Sequence, residues 1–448
     1  MSKVTDHNSS ANADDINSKP FMSMKERKVY NGWRLRILIS IIFGYGTYYL
    51  CRQNFSMIMP AFMEEFGYSK TQMGWILTFA ALVYGVGKFV NGYISDKSNA
   101  RYFMTIGLCA SAIVTFILGF TNNLYFLGFF WIMNNWFQSM GWPPVARMLT
   151  HWFAPHELGT KWALGAASHQ VGGAFTLIFS GYLVANYGWR YAFFVPSFIA
   201  LIVAFFLFNR LRESPKELGL PPVEAYKGDE RFEEDTSEDH FTTMQILKKV
   251  FVNRNLWYIC FANMCVYVVR IGIIFWAPLF LKEFKGISLT HAGWQVAAYE
   301  VTGLLGGFAA GWISDRIGGQ RGPVGFFFMI CLAGALAVFW YMPEGYSAFS
   351  AIALILVGFF VYGPQVLIGV ASADFASKKA VGTANGLAGT MGYVGSGLSG
   401  VCVGALIDNY GWGGAFAFFI GAAFLGAFFF ILTWRRVNKD NREKALSE

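Results

Sequence analysis

Apolar runs of about 20 residues, separated by short polar stretches, recur along the whole chain. At about 1.5 Å per residue, a helical run of that length crosses a hydrocarbon core of about 30 Å. Twelve such runs are placed at about 33–58, 72–95, 101–121, 124–146, 161–186, 190–208, 256–281, 291–313, 322–342, 347–371, 381–406 and 413–434. The pattern predicts an all-α membrane protein with twelve transmembrane helices. After the sixth run comes a polar, acidic stretch, "ESPKELGLPPVEAYKGDERFEEDTSEDH", which reads as a flexible linker. The expected organisation is an N-terminal tail (1–32), a six-helix bundle (33–208), a linker (209–255), a second six-helix bundle (256–434) and a C-terminal tail (435–448). The first twenty residues are polar and lack the apolar core of a signal peptide, so no cleaved leader is expected.

The two halves echo each other, which is the mark of an internal repeat. "GYISDKSNAR" (Gly92 to Arg101) follows the second run and "GWISDRIGGQR" (Gly311 to Arg321) the eighth, with Asp96 and Asp315 219 positions apart. "GT" recurs at Gly159 and Gly382, and "YGW" at Tyr187 and Tyr410, both at an offset of 223. Two pseudo-symmetric six-helix bundles are expected. A G-x-x-x-D-[KR] turn in both halves of a twelve-helix chain resembles the major facilitator superfamily. Asp96, Arg101, Asp315 and Arg321 in those turns are candidates for gating contacts, or for a static clasp.

Composition agrees with a membrane protein: 55% of residues are hydrophobic and 14% charged, against roughly a quarter charged in soluble domains. The net charge of +8 could suggest a nucleic-acid binder, but the basic residues follow topology instead. Of the 35, only Lys70, Arg190, Lys282 and Lys285 lie in one set of alternate loops, and Arg52, Lys88 and Arg270 lie inside runs. The rest crowd the other side, so the positive-inside rule puts both termini and the linker in the cytoplasm. The cysteines at 51, 109, 260, 265, 331 and 402 stand singly, with no C-x-x-C pair, and read as buried thiols. No phosphate-binding G-x-x-x-x-G-K-[ST] loop occurs, and no metal, cofactor or nucleic-acid partner is expected.

A charge at the centre of a bilayer costs roughly 2.5–3.5 kcal/mol even on the mildest scale, so Arg52 in "YYLCRQNFSMIMP" needs a reason. Arg270, in "YVVRIG", sits 218 positions further on, within one residue of the repeat offset. Two arginines at equivalent depth would face each other across the pseudo-two-fold axis, where such carriers bind substrate. Lys88 adds a third cation, and Glu300 is the clear carboxylate within a run, with Asp374 and Asp408 near helix ends. The deficit of negative charge implies an anionic ligand. A phosphate ester carries nearly two charges, and guanidinium groups grip its oxygens bidentately. Tyr45, Tyr48, Tyr49 and Arg52 fall on one helical stripe, as do Asn263, Tyr267 and Arg270, and Tyr84, Lys88 and Asn91. His169, in "ASHQVGG", can donate to phosphate or titrate near neutrality.

"FGYGTYYLCRQNF", "YGVGKFVNGYISDKSNAR", "WFQSMGWPP", "SHQVGG", "VYVVRIG" and "YGPQVLIG" together resemble the organophosphate:phosphate antiporter family. The resemblance implies that Arg52 and Arg270 hold phosphate, with Lys88 and His169 in supporting positions, and brings in Tyr362 and Tyr393 as hydrogen-bonding candidates beside Tyr45, Tyr48, Tyr49, Asn263 and Tyr267. Members commonly carry a lysine after the first arginine and an acid five positions after the second. Here those positions hold Gln53 and Phe275, so a salt bridge built on that pair is not expected. "SDKSNARYFM" and "FVYGPQVLIG" look more like the hexose-phosphate branch, which implies glucose 6-phosphate.

The expected function is exchange of a sugar phosphate for inorganic phosphate by alternating access, with Glu300 as a coupling residue, in a monomer embedded in the lipid of a bacterial inner membrane. Exchange of glycerol 3-phosphate, a proton-coupled anion symporter using Glu300 or His169, and a membrane sensor of hexose phosphate are the alternatives. No nucleophile paired with a base is visible, so an enzyme is not expected.

Overall fold

In the computed structural model of the chain, residues 24–223, 226, 248, 250–343, 347–375 and 381–445 are described. Most of the expected N-terminal tail and linker therefore lies outside the described residues. The elements are α1 (Met24–Leu50), α2 (Asn54–Phe66), α3 (Lys70–Lys97), α4 (Ala100–Leu118), α5 (Leu124–Gln138), α6 (Trp142–Trp152), α7 (Pro155–Tyr187) and α8 (Tyr191–Arg210), then α9 (Arg254–Glu283), α10 (Leu289–Arg316), α11 (Arg321–Tyr341), α12 (Ser347–Asp374) and α13 (Val381–Ala445). Polar residues start these helices by capping orphan backbone N–H groups. Ser69 forms a capping box with Gln72 on α3, and Asn99, Asn123, Asn253 and Ser288 cap α4, α5, α9 and α10.

Among the described residues eight helices are long and apolar enough to cross a membrane: α3, α4, α8 to α12, and Gly382–Thr433 within α13. Two of the expected uninterrupted runs are broken. The first run splits at residues 51–53, where Cys51 N–H bonds Tyr48 O at 3.2 Å and Arg52 N–H bonds Tyr49 O at 3.1 Å, tighter than the helical repeat. Side chains take the freed carbonyls: Asn134 Nδ2 donates to Cys51 O at 2.7 Å and Ser56 Oγ to Gln53 O at 2.9 Å. Insertion of this kind is a standard cause of helix breaks, and it gives the Cys51 and Gln53 carbonyls partners in a dry interior. The fourth run splits at residues 139–141, just before Pro143 and Pro144, whose missing N–H groups and ring bulk suit a first helical turn but not a helix interior. The last two runs are joined as α13 and turn at Gly411, at φ +67°. Gly188 of the matching "YGW" segment has φ +94°, so both copies of that motif place glycine in a backbone region that side chains avoid.

Helices of the two chain halves meet as α3 against α13, α7 against α10 and α2 against α9. Call the end of the bundle where α1 and α9 begin the near end, and that where α3 and α10 begin the far end. The far end is tightly closed. A Cβ on Gly74 would lie 2.6 Å from Gly400 O, and one on Gly293 2.6 Å from Leu177 O, so backbone meets backbone there. Thr71 N–H and Oγ1 donate to Asp408 at 2.7 and 2.6 Å, and Lys70 N–H at 3.3 Å, which caps the start of α3 with a carboxylate from the other half. Lys70 pairs with Glu283 at 3.1 Å, and Lys282 pairs with Glu64.

Candidate functional site

The break between α1 and α2 turns Tyr49, Arg52 and Gln53 into the centre of the bundle, opposite Tyr267 and Arg270 of α9. Arg52 and Arg270 line one inner chamber of about 70 Å³, on the far-end side of the arginines. A larger vestibule of about 160 Å³ lies on the near-end side, lined by Tyr45, Tyr49, Tyr84, Lys88, Trp142, His169, Tyr267, Arg270, Gln365 and Tyr393.

The guanidinium groups rest on rings. Arg52 lies 3.9 Å from the Tyr84 centroid and 5.6 Å from that of Tyr49, and Arg270 lies 4.6 Å from Tyr362 and 5.6 Å from Tyr267. Such contacts favour the cation but do not discharge it. Neither arginine is in an ion pair among the described residues, and Nε of the 7%-exposed Arg270 has no hydrogen-bond partner. Lys88 Nζ sits 5.6 Å from the Tyr393 ring, at the exposed edge of the vestibule. His169 gives its Nδ1 to Ala166 O, which leaves Nε2 for the vestibule.

Glu300 of α10 is fully buried. Its Oε1 accepts from Gln53 Nε2 at 3.0 Å and its Oε2 from the Tyr362 hydroxyl. Gln53 belongs to the first half of the chain and Glu300 to the second, so this contact ties the halves at the level of the arginines. Tyr299, the residue before Glu300, donates to Arg270 O at 3.0 Å and steadies α9 beneath its arginine.

The structure thus gathers Arg52, Arg270, Lys88, His169, Tyr45, Tyr49, Tyr267 and Tyr393 around the chamber and the vestibule, with Tyr362 against Arg270 and Glu300 bonded to Gln53 behind them. Two candidates stand apart from these. Tyr48 turns into the side of the bundle, where its hydroxyl donates to Met104 O at 2.7 Å. Asn263 donates to Ala388 O at 2.7 Å and ties α9 to α13. Gln53, Tyr84, Trp142, Asn135 and Gln365 join the lining without having been named as site residues. Tyr84 had a sequence signal in its place one turn from Lys88, Gln53 in its departure from the usual lysine, and Trp142 and Gln365 in the family-like segments that contain them, whereas Asn135 had none.

The four turn residues lie remote from this space, at the near end. Arg321 bonds Asp315 at 2.6 Å, Ser314 at 2.9 Å and Asp374 at 3.4 Å. In the first half, Asp96 is in no ion pair among the described residues, and Arg101 donates to Phe208 O at 2.6 Å. Arg147 takes over instead: it donates to Ser95, Asp96 and Ser98 carbonyls at 2.7, 2.9 and 2.8 Å and pairs with Glu213 at 2.5 Å.

A helical membrane bundle with a central cation-rich space, closed at one end, is the architecture of a secondary transporter. The pattern that defines the Major Facilitator Superfamily matches residues 41–400 and 286–448, and the chain belongs to that superfamily. Within it, the chain sits in the organophosphate:phosphate antiporter branch and is a transporter, not an enzyme. It is 38% identical over 432 residues to a probable hexose phosphate transport protein of Chlamydia pneumoniae, covering 94% of this chain and 95% of the relative. It is 40% identical over 414 residues to the glycerol-3-phosphate transporter of Bacillus subtilis, covering 90% and 93%. Among solved structures, a bacterial homolog of the human lysosomal transporter Spinster superposes with a TM-score of 0.75 at 16% identity, over 91% of this chain and 98% of that one, which shows the shared fold.

Proposed function

We propose that this protein exchanges a sugar phosphate for inorganic phosphate across a bacterial inner membrane, with phosphate held between Arg52 and Arg270. The single observation that carries the reading is that two arginines at repeat-equivalent positions line one chamber with no carboxylate among the described residues paired to either. An anion with two charges and several acceptor oxygens meets that deficit, and Lys88 and His169 stand ready from the vestibule. The similarity to a hexose phosphate transport protein and to a glycerol-3-phosphate transporter supports an organophosphate as the partner substrate. We take glucose 6-phosphate as the preferred one.

In this reading the membrane is crossed twelve times: α1 with α2, and α5 with α6, each make one broken crossing, and α13 makes two around Gly411. The positive-inside rule then makes the near end cytoplasmic and places both termini there. The closed far end faces outward, and the vestibule faces the cytoplasm. Alternating access follows if the far-end contacts open as the near end closes around the loaded site. A ligand shifts that equilibrium only by binding one state better than the other, and an anion touching arginines from both halves does so most strongly when the halves are close.

The test is reconstitution in liposomes preloaded with phosphate, with uptake of labelled glucose 6-phosphate and glycerol 3-phosphate from outside. Exchange that requires internal phosphate supports the proposal. Uptake into phosphate-free vesicles driven by a pH gradient would make the protein a proton symporter. Tight binding without any flux would make it a sensor.

A further inference from the structure

The near end of α1 and α8 carries positive charge that neither the central site nor the turn contacts use. Arg36 of α1 lies 4.3 Å from the centroid of the Trp33 ring, and Arg212, just past α8, lies 5.6 Å from the same ring. Arg210, in the last turn of α8, rests 5.4 Å from the Phe206 ring. Arg210 and Arg212 are both close enough to repel the charge of Arg36. Three like charges are therefore held together on the seam where α1 packs against α8. Deeper along the seam the packing is tight, since a Cβ on Gly44 would lie 2.7 Å from Leu207 Cδ1.

None of the three arginines is in an ion pair among the described residues. The carboxylates around them are engaged elsewhere: Glu213 pairs with Arg147 at 2.5 Å, Glu157 pairs with Arg34, and Glu217 accepts from Asn99 Nδ2 at 2.7 Å. The C-terminal carbonyls of α8 supply a negative pole. Arg212 donates to Asn209 O at 3.2 Å and Leu211 O at 2.6 Å, and Arg101 donates to Phe208 O at 2.6 Å. A helix end is equivalent to about half an elementary charge, so it answers only a small part of three. The rings steady the guanidinium groups without neutralising them. The seam therefore keeps a surplus of positive charge that an anion from outside the chain can meet.

What lies below the charges decides the kind of anion. Arg36, Ile39 and Phe43 fall on one stripe of α1, and Ile202, Phe206 and Arg210 on one stripe of α8, each running from a cation into apolar surface. Ile39, Phe43 and Ile202 are 41%, 63% and 55% exposed. In a membrane protein such surface meets acyl chains, and a tryptophan such as Trp33 suits the level where the headgroups begin. A soluble anion would use the cations and leave the stripes unmatched, whereas a phospholipid with a negative headgroup matches both. We infer that the seam between α1 and α8 binds an anionic phospholipid of the phosphatidylglycerol kind. Its phosphate lies among Arg36, Arg210 and Arg212, and its chains run along the two stripes. Bound there, it relieves the repulsion across the seam and holds the near end of α1 against α8. The site stands apart from Arg52 and Arg270 and does not depend on what they hold.

Native mass spectrometry of the purified full chain, titrated with phosphatidylglycerol or with phosphatidylcholine of the same acyl chains, tests this. The wild type should bind the first phosphatidylglycerol at least about tenfold more tightly than phosphatidylcholine, since each arginine near a membrane surface is worth about fivefold toward an anionic lipid. Arg36→Gln and Arg210→Gln should each cut that ratio about fivefold, whereas Arg36→Lys should keep most of it. Arg316→Gln, which removes an exposed near-end arginine lying 4.0 Å from the Trp312 centroid, should leave the ratio as it is. An unshifted melting temperature in detergent reports that a variant is folded, and either glutamine variant alone suffices. Equal affinity of the wild type for the two lipids overturns the site, as does an unchanged ratio in a folded Arg36→Gln or Arg210→Gln, or an equal loss in Arg316→Gln. Displacement of the lipid by inorganic phosphate would make the seam a bare phosphate site and overturn it too. A preference that appears only when the acids between 229 and 239 are replaced by their amides would make the acidic linker the occupant, and the lipid reading falls.

Discussion

Asp408→Ala should open the far end. In the closed structure the Asp408 carboxylate accepts from Thr71 N–H at 2.7 Å, Thr71 Oγ1 at 2.6 Å and Lys70 N–H at 3.3 Å, all at the start of α3. A hydrogen bond to a charged group is worth roughly 1.5–3 kcal/mol when buried, and a helix N-terminus adds about 0.3–1 kcal/mol. Asp408 is exposed, so water competes for the carboxylate and the sum must be discounted. About 2 kcal/mol for the whole clasp is reasonable, which changes the ratio of closed to open molecules about thirtyfold. The Lys282 to Glu64 and Lys70 to Glu283 pairs are surface ion pairs worth about 0–1 kcal/mol each, and salt screens them. The assay is the distance distribution between spin labels at Tyr125 and Tyr341, which are 88% and 79% exposed at the far ends of α5 and α11. The half-buried Cys109, Cys331 and Cys402 are replaced first. Asp408→Ala should move population to longer distances, and Asp408→Asn, which keeps one acceptor, should move less. The pH response follows from sign. Burial pushes the Asp408 carboxyl up, but the Thr71 and Lys70 hydrogen bonds outweigh it and hold the carboxyl below its usual range. A depressed carboxyl stabilises closure above its unbound pKa of roughly 3.9 and loses that contribution only as pH falls through the lower value. Closure should therefore be flat between about pH 5 and 8. Unchanged distances in Asp408→Ala, or a wild-type opening centred near neutral pH, would refute the assignment of the clasp to Asp408.

Arg52→Lys and Arg270→Lys should each weaken phosphate binding at least about tenfold, since lysine keeps the charge but not the bidentate fork; isothermal titration with phosphate checks this, and wild-type affinity in either would reject the clamp. Tyr48→Phe should leave substrate affinity alone while lowering thermal stability by about 1 kcal/mol, because it removes only the bond to Met104 O. Arg147→Ala should destabilise the protein by about 2–3 kcal/mol, more than Arg101→Ala, as three carbonyls at the end of α3 and Glu213 lose their partner; thermal unfolding in detergent measures both.

The arginines were legible because a charge in an apolar run is an anomaly, and the repeat offset made the anomaly double. The same reasoning could not separate Tyr48 from Tyr45. Both fall on the helical stripe that carries Arg52, and the stripe is wide enough to face two neighbours. What decides is the absence of a side chain at Gly107 on α4, where a Cβ would lie 2.6 Å from the Tyr48 hydroxyl. That vacancy draws Tyr48 sideways and leaves Tyr45 and Tyr49 for the vestibule. The break at residues 51–53 was hidden for a similar reason. No proline or glycine marks it, and Asn134, 83 positions away, holds the freed carbonyl. Turn motifs alike in sequence also find different partners. In the second half Asp374 lies within reach of Arg321, whereas among the described residues Arg101 meets a carbonyl and two rings. A motif specifies what its residues can do, but neighbours from distant segments decide what they do.

Gln53 shows how one neutral residue can carry coupling that charge was expected to carry. A salt bridge between positions 53 and 275 is impossible here, yet Gln53 still reaches the other half through Glu300. Glu300, held by the neutral Gln53 and Tyr362, joins the halves and is in no ion pair with either arginine among the described residues. In the exchange reading the two arginines repel each other until an anion binds, while the interhalf hydrogen bond from Gln53 to Glu300, worth roughly 1.5–3 kcal/mol, draws the halves together. A bound dianion removes the repulsion while leaving that hydrogen bond in place. In that reading loading and interhalf attachment are separate contributions that favour the same compact state, as a carrier that crosses when filled and stalls when empty requires.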